Sequence, residues 1–63
     1  MEDKDLNEMI RQLLNLTAEI DVKEKEIKEY EQTNGKFAPL GWTTEVTNKS
    51  YEMYLICKDY LNR

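Results

Sequence analysis

The chain of 63 residues contains no histidine, which removes the side chain that most often serves as a general base at neutral pH. Cys57 is the single cysteine, so an intramolecular disulfide and a thiolate-rich zinc site are both excluded. Its place on an apolar helical stripe predicts a buried, inert thiol rather than a nucleophile. The two glycines, Gly35 and Gly41, do not form a phosphate-binding loop. We therefore expect neither enzymatic activity nor a metal or other cofactor.

Long apolar runs are also missing from the sequence. No segment approaches the roughly 18 apolar residues that a membrane-spanning helix needs. The first five residues, Met-Glu-Asp-Lys-Asp, lack the basic and apolar regions of a signal peptide. We therefore expect a cytoplasmic protein without membrane contact. The preference for lysine over arginine, together with five asparagines, is typical of AT-rich bacterial or phage genomes.

Basic residues are outnumbered, with 9 lysines and arginines against 13 aspartates and glutamates and a net charge of −4. Residues 1–33 carry ten acids and five bases, whereas residues 34–63 carry three acids and four bases. Such a chain is a poor ligand for the phosphates of nucleic acid, and an anionic membrane surface repels it. We expect no direct nucleic-acid binding, and a protein with a basic surface is the more natural partner.

The small size of the chain limits its core. A domain of this length buries only about 60% of the surface that its unfolded chain exposes. Chains of this size usually depend on a disulfide, a metal or a second subunit, and the sequence excludes the first two. We therefore expect a single domain, residues 1–63, that forms a homodimer or binds a partner protein.

An amphipathic first half is the strongest positive feature of the sequence. Its apolar residues follow a seven-residue repeat, with Leu6, Leu13, Ile20 and Ile27 at one position and Met9, Leu16 and Tyr30 at the other. Lys23 alone interrupts the pattern, which predicts a helix over about residues 5–33 with an apolar seam. Asp3 or Asp5 can cap its start, and Asn34-Gly35 can end it. A weaker alternative breaks the helix near Asp21.

The second half predicts an ordered connection followed by a shorter helix. The connection, residues 34–47, is unusually apolar and contains Phe37, Leu40 and Trp42. The helix is expected over about residues 48–62, with Thr47, Asn48 or Ser50 as its cap. The fold class is therefore all-α, a helical hairpin of one long and one shorter helix joined by an ordered aromatic loop.

The predicted second helix is apolar nearly all round, so a hairpin alone would leave part of it uncovered. In the amino-terminal half of the first helix, Ile10, Leu14 and Ala18 add a second apolar row beside the seam, so this half is wide. The pattern favours dimerisation into a helical bundle through the second helix and this wide half. The candidate dimer-interface residues are Leu14, Met53, Tyr54, Ile56 and Tyr60.

The carboxy-terminal half of the first helix has a narrow seam of Ile20, Ile27 and Tyr30. Acidic residues flank this narrow seam, and their like charges disfavour pairing with an identical helix. Two interpretations remain, and they are compatible with each other. Either Phe37, Leu40 and Trp42 fold back over the seam, or the seam binds a basic protein. The candidate partner-binding residues are Glu19, Glu24, Glu26 and Glu31, with Tyr30 and Trp42 as aromatic anchors.

These features favour a small acidic regulator that binds another protein and inhibits or modifies it by occupying its surface. An inhibitor or antirepressor of a basic, nucleic-acid-binding protein fits the charge, because glutamates would complement the residues that hold nucleic acid. The alternative is a structural or assembly subunit of a larger bacterial or phage complex. Salt-sensitive binding to a basic protein would indicate the first function, and obligate assembly would indicate the second.

Overall fold

The computed structural model describes residues 3–62 and places two α-helices within them. Helix α1 spans Lys4–Asn34 and helix α2 spans Leu40–Leu61. The helices pack against each other along a molecule measuring 52 × 19 × 10 Å. They run antiparallel, because Lys23 of α1 contacts Glu45 of α2 while Glu19 contacts the later residue Lys49. The predicted all-α helical hairpin is confirmed.

The two ends of α1 are fixed by local hydrogen bonds. Asp3 is the N-cap, and its Oδ1 accepts a hydrogen bond of 3.1 Å from the amide of Leu6. At the other end Gly35 has φ +66°, and its amide donates to the carbonyl of Glu31 at 3.0 Å. A left-handed residue at this position turns the chain out of the helix. Between these ends α1 is continuous, so the alternative break near Asp21 does not occur.

Helix α2 begins earlier than the sequence predicted. Its start is Leu40 rather than a residue near 48, and the connection shrinks from residues 34–47 to residues 35–39. Pro39 occupies the N-cap position, and its carbonyl accepts a hydrogen bond of 3.0 Å from the amide of Trp42. The three predicted caps, Thr47, Asn48 and Ser50, therefore lie inside the helix.

Packing explains why this threonine-rich segment is helical. Trp42 and Val46 lie four residues apart and are both half-buried against α1, so a helix is needed to bring them to the same side. The hydroxyl of Thr47 donates to the carbonyl of Thr43 at 3.1 Å, which satisfies that group within the helix. Helix propensities differ by only about 0.7 kcal/mol per ordinary residue, and tertiary contacts commonly override them.

The contact between the helices consists of two seams. In α1 the half-buried seam residues are Leu6, Met9, Leu13, Leu16, Ile20, Lys23, Ile27 and Tyr30. In α2 they are Trp42, Val46, Lys49, Met53, Ile56 and Tyr60. Both sets alternate steps of three and four residues, the spacing of a coiled-coil seam. Within residues 3–62 no side chain is fully buried, because each helix is covered on one side only.

The predicted fold-back of the aromatic loop is corrected by the structure. Phe37 remains 90% exposed, and Leu40 is exposed as well. Trp42 does cover the seam, but it does so from the first turn of α2, with its ring 5.3 Å from that of Tyr30 in an edge-to-face contact.

Two glycine substitutions, one at each side of the connection, test the turn between the helices. Gly35→Ala should destabilise the hairpin by about 1 kcal/mol, because alanine is strained at positive φ. Gly41→Ala should stabilise it by up to about 1 kcal/mol, since Gly41 is helical and an added Cβ would meet nothing within 4 Å. Urea unfolding followed by circular dichroism at 222 nm measures both changes. Equal effects from the two variants would contradict this account of the turn.

Candidate protein-binding surface

A lysine interrupts each seam, and each lysine pairs with a carboxylate of the opposite helix. The Nζ of Lys23 lies 3.2 Å from Oε2 of Glu26 and 3.3 Å from Oε2 of Glu45 on α2. The Nζ of Lys49 lies 2.7 Å from Oε2 of Glu19 on α1. The two lysine side chains are only 20% and 23% exposed. These pairs, which we call the polar layer, connect the helices across the middle of the hairpin.

The polar layer holds both lysines in their charged form. The hydrogen bond to Glu26, with further support from Glu45, raises the pKa of Lys23 above its ordinary value of 10.5, although partial burial opposes the shift. The hydrogen bond to Glu19 raises the pKa of Lys49 in the same way. Glu19 lies four residues before Lys23 on α1, yet it pairs with Lys49 of α2, and Lys23 pairs with Glu45 of α2.

The aromatic anchors predicted for a partner are used within the hairpin itself. Tyr30 and Trp42 pack against each other near the connection, and the Nζ of Lys23 lies 5.3 Å from the centre of the Trp42 ring. Glu31 is also engaged, since its Oε2 accepts a hydrogen bond of 3.1 Å from the amide of Ala38. These three candidate partner-binding residues therefore help to hold the connection against α1.

One side of the hairpin is lined with carboxylates, and we call it the acidic edge. Its members are Asp5, Glu8, Glu19 and Glu26 of α1 with Glu45, Glu52 and Asp59 of α2. Near the free ends of the helices, a groove is lined by Asp5 and Glu8 on one wall and by Asp59 on the other. Farther along, Glu19 and Glu45 line a second groove. Within residues 3–62, helical spacing places no base on this edge, and the cations that reach it are the two seam lysines.

The four predicted partner-binding glutamates are divided between the two sides of α1. Glu19 and Glu26 lie on the acidic edge, whereas Glu24 and Glu31 follow the seam on its other side, near the connection. Sequence reasoning missed the contribution of α2, which comes from Glu45, Glu52 and Asp59. Their regular seven-residue spacing is visible in the sequence and could have identified them once α2 was extended to Leu40.

The opposite side of the hairpin, which we call the Tyr54 edge, is mostly uncharged towards the free ends of the helices. One charge does reach it, since the Nζ of Lys58 lies 5.7 Å from the centre of the Tyr54 ring and Lys58 lines the same groove as Cys57 and Leu61. Helical spacing places on it Asn7, Ile10, Leu14 and Thr17 of α1 with Thr47, Ser50, Tyr54, Cys57 and Leu61 of α2. Its most exposed apolar groups include Leu14, at 65%, and Tyr54, at 51%. Cys57 is half-buried rather than buried.

The predicted dimer interface is corrected in part by this arrangement. Leu14 and Tyr54 lie on the Tyr54 edge and remain exposed there, although the Nζ of Lys58 lies over the Tyr54 ring. Met53, Ile56 and Tyr60 instead belong to the seam of α2 and face α1. They were assigned to a second subunit because the seam of α2 was not recognised.

The free ends of the two helices are joined by a polar contact. The hydroxyl of Tyr60 donates to Oδ2 of Asp3 at 3.0 Å, while Oδ1 of the same carboxylate caps α1. One aspartate therefore stabilises the start of α1 and holds the last turns of α2 against it.

No cluster of histidine, cysteine, aspartate and glutamate in the described part of the chain is suited to hold a metal ion. Neither α1 nor α2 is long and apolar enough to cross a membrane. Comparison of the chain with protein-family models, curated protein sequences and solved structures finds no match. A function for the hairpin is therefore inferred from the chemistry of its surface.

The raised pKa values of Lys23 and Lys49 predict a loss of stability at high pH. Their contribution is fully present below about pH 10.5 and disappears as the pH rises through the higher pKa of the folded state. Urea unfolding between pH 7 and 11.5 should show a smaller alkaline decline for Lys23→Met/Lys49→Met than for the native chain. Both proteins contain the same tyrosines, so the difference between their pH profiles of stability is due to the two lysines. Parallel pH profiles would contradict the predicted role of these ion pairs.

Reversing charges within the polar layer tests the pairing between helices. Lys49→Glu should lower the melting temperature, because two glutamates would then face each other beside the seam. Glu19→Lys combined with Lys49→Glu should recover part of that loss. Lys36→Glu makes the same change of charge in the connection and serves as the control. Thermal melts with no recovery in the double variant would show that the two residues are not coupled.

Proposed function

We propose that this hairpin is a small acidic regulator whose acidic edge binds a basic surface on another protein. The observation that supports this function best is the alignment of seven carboxylates from both helices along one edge. Successive members at seven-residue spacing on one helix lie about 10 Å apart, at 1.5 Å per residue. A row of this kind fits a surface of lysines and arginines spread over several helical turns.

Electrostatics makes the acidic edge a better binding surface than the remainder of the hairpin. Carboxylates placed along one edge repel one another, and a basic partner relieves that repulsion when it binds. Lys23 and Lys49 neutralise the edge near its middle, where they contact Glu19, Glu26 and Glu45. Complementary charge of this kind mainly increases the rate of association and the selectivity for basic partners.

The proposed mechanism is occupation of the partner's basic surface. A protein that binds nucleic acid presents lysines and arginines to the phosphate backbone. The acidic edge would engage the same side chains, so that nucleic acid and the hairpin compete for one surface. Inhibition by this route requires neither a catalytic group nor a cofactor.

A structural or assembly subunit is the second candidate function. Tyr51, Leu55 and Leu61 of α2 are exposed, and a larger complex could cover them with further helices. This function predicts a salt-resistant assembly rather than a salt-sensitive complex with a basic protein.

Capture from an extract of the source organism, followed by mass spectrometry, tests the regulator function. The native chain should retain a basic, nucleic-acid-binding protein at about 50 mM salt and release it at about 500 mM, because screening weakens exposed charge pairs. Glu8→Gln/Glu52→Gln should retain at least about tenfold less of that protein, and nucleic acid added to the extract should compete with the hairpin.

Asp21→Asn/Glu24→Gln is the matched control, since it removes the same amount of negative charge away from the acidic edge. It should retain the partner nearly as well as the native chain. Equal losses in the two double variants would indicate attraction by net charge alone and would contradict an assigned edge. Recovery of a multi-subunit assembly that resists high salt would favour the structural function.

A further inference from the structure

Apolar side chains lie between the carboxylates of the acidic edge. They line the three grooves that follow this edge, and they are Met9, Ala18 and Val22 of α1 with Leu40, Tyr51, Leu55 and Ile56 of α2. Val22 and Leu55 lie outside the seam and retain 58% and 44% of their accessible area. The edge is therefore amphipathic, and a ligand that covers it must match apolar side chains as well as charge.

A purely basic, extended segment would match only part of this surface. Its lysines and arginines could pair with the carboxylates, but Val22 and Leu55 would remain in contact with water. Removal of apolar surface from water is the main favourable term in most protein association. A ligand that carries apolar and basic side chains at regular intervals covers both parts of the edge.

The spacing of the acids indicates that this ligand is a helix. Glu45, Glu52 and Asp59 recur every seven residues along α2. A facing helix brings its own side chains to one side at the same interval, and charged rows beside an apolar seam select partners in this way in coiled coils. Between residues 3 and 62 the hairpin has no strand with which an extended chain could pair. A helix needs no such pairing, because its backbone hydrogen bonds are internal.

Charge complementarity requires the facing helix to be basic. Seven carboxylates lie on the edge, whereas the amines that reach it are those of Lys23 and Lys49. The carboxylates paired with these amines stay accessible, since the side chains of Glu19, Glu26 and Glu45 are 54%, 48% and 46% exposed. Each carboxylate accepts several hydrogen bonds, so a lysine or arginine of the ligand can share it. A second copy presenting the same edge would instead set acid against acid.

We propose that the acidic edge binds one basic amphipathic helix of the partner protein, an inference that rests on the proposed function and narrows it. The apolar stripe of that helix packs against Val22 and Leu55, and its lysines and arginines pair with the carboxylates on either side. The complex is a three-helix bundle. The grooves follow α2 from Leu40 to Tyr60, which corresponds to a bound helix of about 20 residues, or roughly 30 Å.

Two synthetic peptides of about 20 residues test this proposal on the intact hairpin. In the first, leucines at helical spacing form one stripe and lysines and arginines flank it. The second has the same composition in an order that forms no stripe on a helix. Isothermal titration calorimetry at about 50 mM salt should show one-to-one binding of the first peptide, at least about tenfold tighter than that of the second. Circular dichroism at 222 nm should show additional helix when the first peptide binds.

Substitutions in the hairpin locate the contact. Val22→Gln/Leu55→Gln should weaken binding of the first peptide at least about fivefold, because it removes the apolar part of the edge and leaves every charge in place. Leu14→Gln/Leu61→Gln is the matched control, since it makes the same kind of change at two exposed positions on the Tyr54 edge. It should alter the dissociation constant by less than about twofold.

The outcomes separate this inference from the proposed function. Equal affinity for the two peptides, or equal effects of the two double variants, would overturn the helix as the ligand and leave a basic partner for the edge in place. No binding of either peptide would also overturn it, and capture from the extract would then decide by itself whether the edge binds a basic protein. A hairpin that sediments as a dimer and binds neither peptide would overturn it in favour of a second copy.

Discussion

Two helices in contact share a single line of packing, and every other property of this molecule depends on that constraint. The line runs along the seams of α1 and α2, and no residue from 3 to 62 is removed fully from water. Lysines are tolerated in the seams because their amines can still reach solvent and carboxylates at the edge. The same geometry leaves two long edges uncovered, and their side chains are free to specialise.

The polar layer gives the single line of packing a defined alignment. Apolar seams of similar composition can slide past each other by one heptad at little cost. A slip of one heptad in one direction would separate Lys49 from Glu19 and place it beside Gln12. A slip in the other direction would place Lys49 and Lys23 beside Glu26 and Glu52, but it would part Trp42 from Tyr30. The polar layer therefore opposes the first slip and the aromatic contact opposes the second, even though partly exposed ion pairs contribute modestly to stability.

Local signals made α1 predictable, because Asn34-Gly35 is a strong helix stop and seven apolar residues share one period. The start of α2 was not predictable from local signals. Glycine and threonines precede Val46, and Lys49 interrupts the second seam. Helical structure there depends on contact between Trp42 and Tyr30, which only the folded hairpin brings together. The two edges were hidden for a related reason. Which side of each helix shares an edge depends on how α1 and α2 are aligned.

Because the two helices contact each other along one line, the hairpin can fray from either end. The end away from the connection is held by the hydrogen bond between Tyr60 and Asp3, and the end beside it by the contact of Trp42 with Tyr30 and Lys23. Trp42 is the single tryptophan of the chain, so its fluorescence reports the opening of one end alone. Circular dichroism averages over the whole length of both helices. The molecule thus contains its own probe for distinguishing fraying at one end from cooperative unfolding of the entire pair.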